Sequence, residues 1–252
     1  IIPMDHGTTV GPIEGLVSMR STVANIDAGG ASAIVLHKGI IRNLTEPPAC
    51  GIIMHLSAST QLAKDPNRKV LVGTVEEALR LGADAVSVHV NVGGCETETD
   101  MISDLGKVSE ACDRWQMPLM AMMYPRGDNV EKVSHEESVA LVARLGAELG
   151  ADIIKTIYTG NIESFESIVR SCPVPIVIAG GPKCNTDLEV LQMVEDCMEA
   201  GAIGVSLGRN AFQHINPTAM VHALRSIIVE HATAKEALKE LGPDVKKTHC
   251  IV

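Results

Sequence analysis

The stretch EESVALVARLGAELGADIIKT, Glu136–Thr156, decides how the fold is read. Its first part has a helical period, with Val139, Leu141, Val142, Leu145 and Leu149 on one broad apolar face. Gly150-Ala151 follows, and glycine is the usual left-handed stop for a helix. Asp152–Thr156 is then a short, nearly continuous apolar run ending in polar residues. Such a run reads as a strand buried on both faces, hence a strand of a parallel sheet. The same Gly-Ala junction between a helical pattern and an apolar run recurs at Gly82-Ala83 and Gly201-Ala202.

Outward from that unit, strand-like runs occur at Ile1–Asp5, Ala33–His37, Gly51–Ser57, Ala85–Asn91, Pro118–Tyr124, Asp152–Thr156, Pro175–Gly181 and Gly204–Arg209. Helical patterns such as Leu188–Ala200 separate them, and the irregular segment Ile41–Ala49 stands where a second helix would be. Eight βα units in one chain of this length predict a single (β/α)8 TIM barrel over residues 1–252. An open doubly wound sheet would usually carry G-x-G-x-x-G after its first strand, and none occurs there. The chain starts in an apolar strand without Met, so residues before Ile1 are expected to be missing, and 243–252 are expected to form a flexible tail.

Composition narrows the partners. Aromatic residues are 2% of the chain, so the core must be aliphatic and bases would find no stacking platforms. A formal charge of −10 opposes nucleic acid and anionic membranes, whose phosphates it would repel. No apolar run approaches the roughly 20 residues of a membrane span. Seven cysteines without a C-x-x-C pair fit neither a disulfide framework nor a zinc site, and suit a reducing cytoplasm. No cofactor is expected.

Barrel active sites sit at the carboxyl ends of the strands, so polar residues there form the shortlist. Lys155 lies inside an apolar strand, where desolvation would favour the neutral amine that attacks a ketone. The alternative is a structural salt-bridge lysine, and Lys38 and Lys183 are rivals beside turns. Tyr124 ends the neighbouring run and would relay protons, unless it only caps the core. Asp5 would be a second acid–base group, or else an anchor for the following loop. Gly180, Gly181, Gly208 and Arg209 close the seventh and eighth runs, the usual phosphate site of these barrels. His37, His55 and His89 end the second, third and fourth runs. They would form a hydrogen-bonded layer beneath a substrate or, as the alternative, hold zinc in a metal-dependent aldolase or hydrolase. A sugar-phosphate binding protein without catalysis is the other alternative.

Seven motifs together resemble the archaeal-type class I aldolase family over residues 1 to about 230: Ile2-Pro-Met-Asp-His-Gly, Leu36-His-Lys-Gly, His55-Leu-Ser-Ala-Ser-Thr, His89-Val-Asn-Val-Gly, Met123-Tyr-Pro-Arg-Gly, Asp152-Ile-Ile-Lys-Thr and Ala179-Gly-Gly-Pro-Lys. The resemblance implies Lys155 as Schiff-base residue, Tyr124 as proton donor and Asp5 as proton acceptor. It also implies that Asp5, His6, Gly7, Thr8, Thr9, Tyr124, Pro125, Arg126, Gly180, Gly181, Gly208 and Arg209 contact a sugar phosphate. The implied reaction is a transaldol transfer from a phosphorylated dideoxy-diketohexose to L-aspartate semialdehyde, feeding 3-dehydroquinate and aromatic amino acids. A homo-oligomer of decameric type is implied as well. Family members that cleave fructose bisphosphate carry a histidine where this chain has Val10 and a tryptophan where it has Met122. Both departures weaken a fructose-bisphosphate aldolase reading. A relative that joins dihydroxyacetone phosphate to aspartate semialdehyde stays open.

Overall fold

A computed structural model describes residues 1–181 and 184–242. Eight parallel strands follow one another in chain order: β1 (Ile2–Pro3), β2 (Ala33–Leu36), β3 (Gly51–His55), β4 (Ala85–Val92), β5 (Leu119–Pro125), β6 (Ile153–Ile157), β7 (Ile176–Ala179) and β8 (Gly204–Ser206). The two edges meet through Ile1. Its amino group donates to the Val205 carbonyl at 2.9 Å, and the Leu207 amide donates to the Ile1 carbonyl at 3.2 Å. The strands thus form the expected barrel.

Two apolar sets explain why the runs read as continuous. Val35, Ile53, Met120, Met122, Tyr124, Val177 and Ala179 pack together as one cluster inside the ring. The alternate positions, among them Ile34, Met54, Met123, Ile154 and Ile178, pack outward with the surrounding helices. Each strand therefore buries both faces. Helix 135–148 shows how the helices are fixed: Ser134 and Glu137 form a capping box at its start, and Gly150 has φ 92° beyond its end. Val139 and Val142 are buried on it as predicted, but Leu141 is 54% exposed, so the apolar face is narrower than the sequence reading.

Between β3 and helix 75–80 the chain makes an excursion absent from the sequence reading. Ser57–Ala58 and Val70–Leu71 pair as a small antiparallel hairpin, and residues 59–69 loop over the barrel mouth. Lys38–Ile41 forms a single helical turn, after which the segment to Ala49 is irregular as expected. Lys38 pairs with Glu77 at 3.0 Å and takes no part in the mouth, whereas Lys183 and the tail 243–252 lie outside the described residues. Among the described residues no helix is long and apolar enough to cross a membrane.

Candidate active site

The carboxyl ends of the strands surround a cavity of about 580 Å³. Asp5, His6, Thr9, His37, His55, His89, Tyr124, Pro125, Arg126, Lys155, Gly180, Gly181, Gly208 and Arg209 all line it. Gly7 and Thr8 do not; both are exposed on the turn Gly7–Val10. Residues from all eight strands, remote in sequence, meet there because a barrel points every strand at one rim.

Lys155 occupies the centre of β6 and is buried. Its register partners are Met122 on β5 and Val177 on β7, both inside the ring. Tyr124 stands two residues beyond Met122, on the same face and nearer the rim, because side chains alternate along a strand. Its ring lies 4.9 Å from that of His89, centroid to centroid, and the Arg126 guanidinium sits 4.7 Å from the Tyr124 ring centre. That guanidinium–phenol contact is a cation–π arrangement.

Asp5 lies between two imidazoles, with one carboxylate oxygen 3.8 Å from His55 Nε2 and the other 3.8 Å from His6 Nδ1. Burial pushes its carboxyl up, but in acid, where the imidazoles are protonated, the positive charges of His55, His6, Lys155 and His37 outweigh that and hold it at about 2. Asp5 is therefore a carboxylate at neutral pH. The histidines go the other way. Burial lowers His55 to about 4, Asp5 opposing, with His37 and Lys155 lowering it further. Burial also lowers His6 and His37, and holds His89 well below the ordinary imidazole value with help from Lys69.

These neutral rings are tied into the strand ends. His55 Nδ1 hydrogen-bonds Ser87 Oγ at 2.8 Å, His89 Nε2 hydrogen-bonds Asn91 Oδ1 at 2.9 Å, and His37 packs edge-on against His55. Among the described residues no three His, Cys, Asp or Glu side chains converge as a metal site requires.

At the β7 and β8 ends, Arg209 donates to the Gly181 carbonyl at 3.1 Å, and Asn210 donates to the Gly180 carbonyl at 3.3 Å. The glycines have distinct reasons. A Cβ on Gly180 would lie 2.1 Å from Leu207 Cδ2, and one on Gly208 would lie 2.6 Å from His6 Cε1 and 2.9 Å from the Pro3 carbonyl oxygen. Gly181 has no neighbour within 4 Å of a Cβ among the described residues, but a φ of 58°, which favours glycine.

Sequence reasoning missed Lys69, Ser206 and Asn210, which also line the cavity. Lys69 comes from the excursion, where no periodicity marks it. Ser206 Oγ is buried with no hydrogen-bond partner among the described residues. Val10 and Met122, the two positions that depart from the fructose-bisphosphate enzymes, both face the cavity.

Residues 1–214 match the family described as DeoC/LacD family aldolase. A Streptomyces griseus protein named 2-amino-4,5-dihydroxy-6-oxo-7-(phosphonooxy)heptanoate synthase is 42% identical over 244 residues, covering 96% of this chain and 89% of that one. A Halobacterium salinarum protein named 2-amino-3,7-dideoxy-D-threo-hept-6-ulosonate synthase is 43% identical over 243 residues, covering 96% and 90%. A solved Schiff-base-forming fructose-1,6-bisphosphate aldolase matches with a TM-score of 0.84 at 30% identity, covering 90% of this chain and 92% of that one.

Proposed function

This chain belongs to the DeoC/LacD aldolase family, and on that premise we propose that it is a Schiff-base transaldolase forming 2-amino-3,7-dideoxy-D-threo-hept-6-ulosonate from a phosphorylated dideoxy-diketohexose and L-aspartate semialdehyde. The observation that carries the reading is Lys155, buried on β6 inside a cavity that it shares with the Tyr124 phenol and the Asp5 carboxylate. The relative from Halobacterium salinarum bears the name of that synthase.

Lys155 Nζ adds to the donor ketone, and loss of water leaves an iminium. The iminium accepts the bonding pair as the adjacent carbon–carbon bond breaks. The departing fragment leaves as an aldehyde, and three carbons stay on Lys155 as an enamine. The enamine carbon then adds to the aldehyde carbon of L-aspartate semialdehyde, whose oxygen takes a proton. Water hydrolyses the new iminium and frees both product and lysine. Asp5 accepts the proton of the donor hydroxyl beside the breaking bond, and Tyr124 donates to the carbinolamine oxygen as it leaves. The neutral histidines orient hydroxyls without adding charge near the iminium.

One specific observation supports a second reading, the similar identity of the Streptomyces griseus relative. Both relatives' names describe a seven-carbon 2-amino-4,5-dihydroxy-6-oxo acid, and they differ at carbon 7, which carries a phosphate ester in one and is a methyl group in the other. In the second reading, dihydroxyacetone phosphate condenses directly on Lys155 and no departing fragment exists. The test is to incubate the protein with aspartate semialdehyde and each donor, add borohydride, and identify both the adduct and the product. An unphosphorylated product with a labelled Lys155 supports the first reading, and a phosphorylated one supports the second. Labelling that persists in Lys155→Ala overturns both.

A further inference from the structure

We propose that Lys69 and Arg126 form an anion-binding pole for the acceptor side of the reaction, taking the α-carboxylate of the incoming amino aldehyde. The proposal rests on the transaldol reading and names the group that selects its acceptor.

Lys69 reaches the cavity from the loop between the paired strands Ser57–Ala58 and Val70–Leu71. That loop is held over the mouth by Asn91, whose side-chain amide donates to the Asn67 carbonyl at 2.7 Å. Lys69 Nζ donates to the Pro66 carbonyl at 3.0 Å and to Ser59 Oγ. An ammonium has three donors, so these two bonds leave one for a ligand. Arg126 lines the same cavity, placed by its contact with the Tyr124 ring. Among the described residues neither cation is in an ion pair. Burial and the nearby Arg126 charge lower the Lys69 amine, with the Asp5 and Asp65 carboxylates opposing. Two cations held together in a partly enclosed mouth repel each other until an anion arrives.

Their position fixes which anion. Lys69 follows β3 and Arg126 follows β5, whereas Gly181 and Arg209 follow β7 and β8. In a ring of eight, β3 and β7 face each other. The cavity thus has cationic groups at opposite sides, with Lys155 on β6 reaching between them. In the product, carbon 6 is bound to Lys155 before release, carbon 7 lies on the donor side and carbon 1 is the carboxylate on the acceptor side. The α-carboxylate, an anion, is drawn to the side where two cations outside any ion pair stand together, Lys69 and Arg126, which leaves the methyl carbon 7 toward Gly181 and Arg209. The unphosphorylated product adds a second consequence. Its donor's phosphate must leave with the departing aldehyde, so it lies on the acceptor side of the cleaved bond. The same pole holds that phosphate first and the carboxylate afterwards.

The test compares wild type, Lys69→Met and Lys69→Arg. Each is assayed with hydroxyacetone as donor, which carries no phosphate, and with either L-aspartate semialdehyde or propanal, which lacks a carboxylate, as acceptor. Lys69→Met is expected to lower kcat/KM for aspartate semialdehyde at least about tenfold, the scale of a lost charge-assisted hydrogen bond. It leaves the propanal rate and borohydride trapping of hydroxyacetone on Lys155 within twofold, and Lys69→Arg restores most of the loss. An equal fall for both aldehydes overturns the proposal. Calorimetric binding of L-homoserine, an unreactive analogue, provides a readout independent of chemistry. It should weaken at least tenfold in Lys69→Met, and equal binding, or none to wild type, also overturns the proposal. Absence of any wild-type adduct with Lys69-dependent homoserine binding would instead mark failure of the Schiff-base reading alone.

Discussion

Lys155 on β6 is in register with Met122 on β5, and Tyr124 stands two residues further toward the rim on the same inward face. The amine is thus walled by a thioether side chain, with a phenol above it. This layering separates the proposed nucleophile from the proposed proton donor by one step of the strand period, and it makes the two proposed roles separable by mutation.

Replacing Lys155 by Met keeps an unbranched side chain in the barrel interior and removes the amine. Borohydride trapping should vanish and turnover should fall at least about 10⁴-fold, since the covalent path is gone. Thermal stability should match or exceed wild type, because a buried polar group is replaced by an apolar one. Circular dichroism melts would check this, and a large fall in Tm would make Lys155 a structural residue.

Tyr124→Phe keeps the ring that packs with His89 and Arg126. Only the proposed proton relay is lost, so kcat should fall by roughly 10²–10⁴ with little change in urea midpoint. Unchanged kcat would move the proton donor elsewhere.

Stability should fall on mild acidification, well above the range where carboxylates titrate. Below pH 6.5 the unfolded chain takes up a proton that folded His55, lowered to about 4, refuses. The loss between pH 6.5 and about 4 amounts to roughly 3 kcal/mol for this residue. Asp5 acts in a lower window: its contribution is complete above its unfolded value of 3.8 and disappears as pH falls through about 2. Urea unfolding of wild type and His55→Asn from pH 7 to 4.5 would measure the first effect. The variant should show a shallower slope, and parallel slopes would contradict a neutral buried His55.

The glycines of the candidate phosphate loops should separate by mechanism. Gly208→Ala forces a Cβ against backbone at Pro3 and against His6, so it should cost about 1–3 kcal/mol by overpacking. Gly181→Ala meets nothing within 4 Å among the described residues and should cost about 1 kcal/mol from its positive φ. Denaturant midpoints compare them directly. A neutral Gly208→Ala would mean that the β1–β8 seam yields easily.

Much of the fold could be read from residue order. Continuous Ile and Val runs, each ended by a polar residue, identify strands buried on both faces, and Gly82, Gly150 and Gly201 mark helix ends with φ between 72° and 92°. The candidate site was legible wherever a candidate side chain lies in a strand or just beyond it, as Asp5, His55, Tyr124 and Lys155 do. It was not legible for Lys69, which sits in an irregular loop whose neighbours carry no period.

By itself, then, the sequence determined the barrel, because alternation of buried strands and amphipathic helices is a local property of the chain. It also determined that a lysine, a tyrosine and a carboxylate share one rim, since parallel strands all end on the same side. Tertiary structure alone decided the electrostatics, which depend on distances between strands. It made Asp5 a carboxylate flanked by two imidazoles, kept the histidines neutral by burial, and brought Lys69 beside Arg126 across from Arg209. Through-space charge and desolvation have no counterpart in residue order, so the site's polarity emerged only once the barrel was closed.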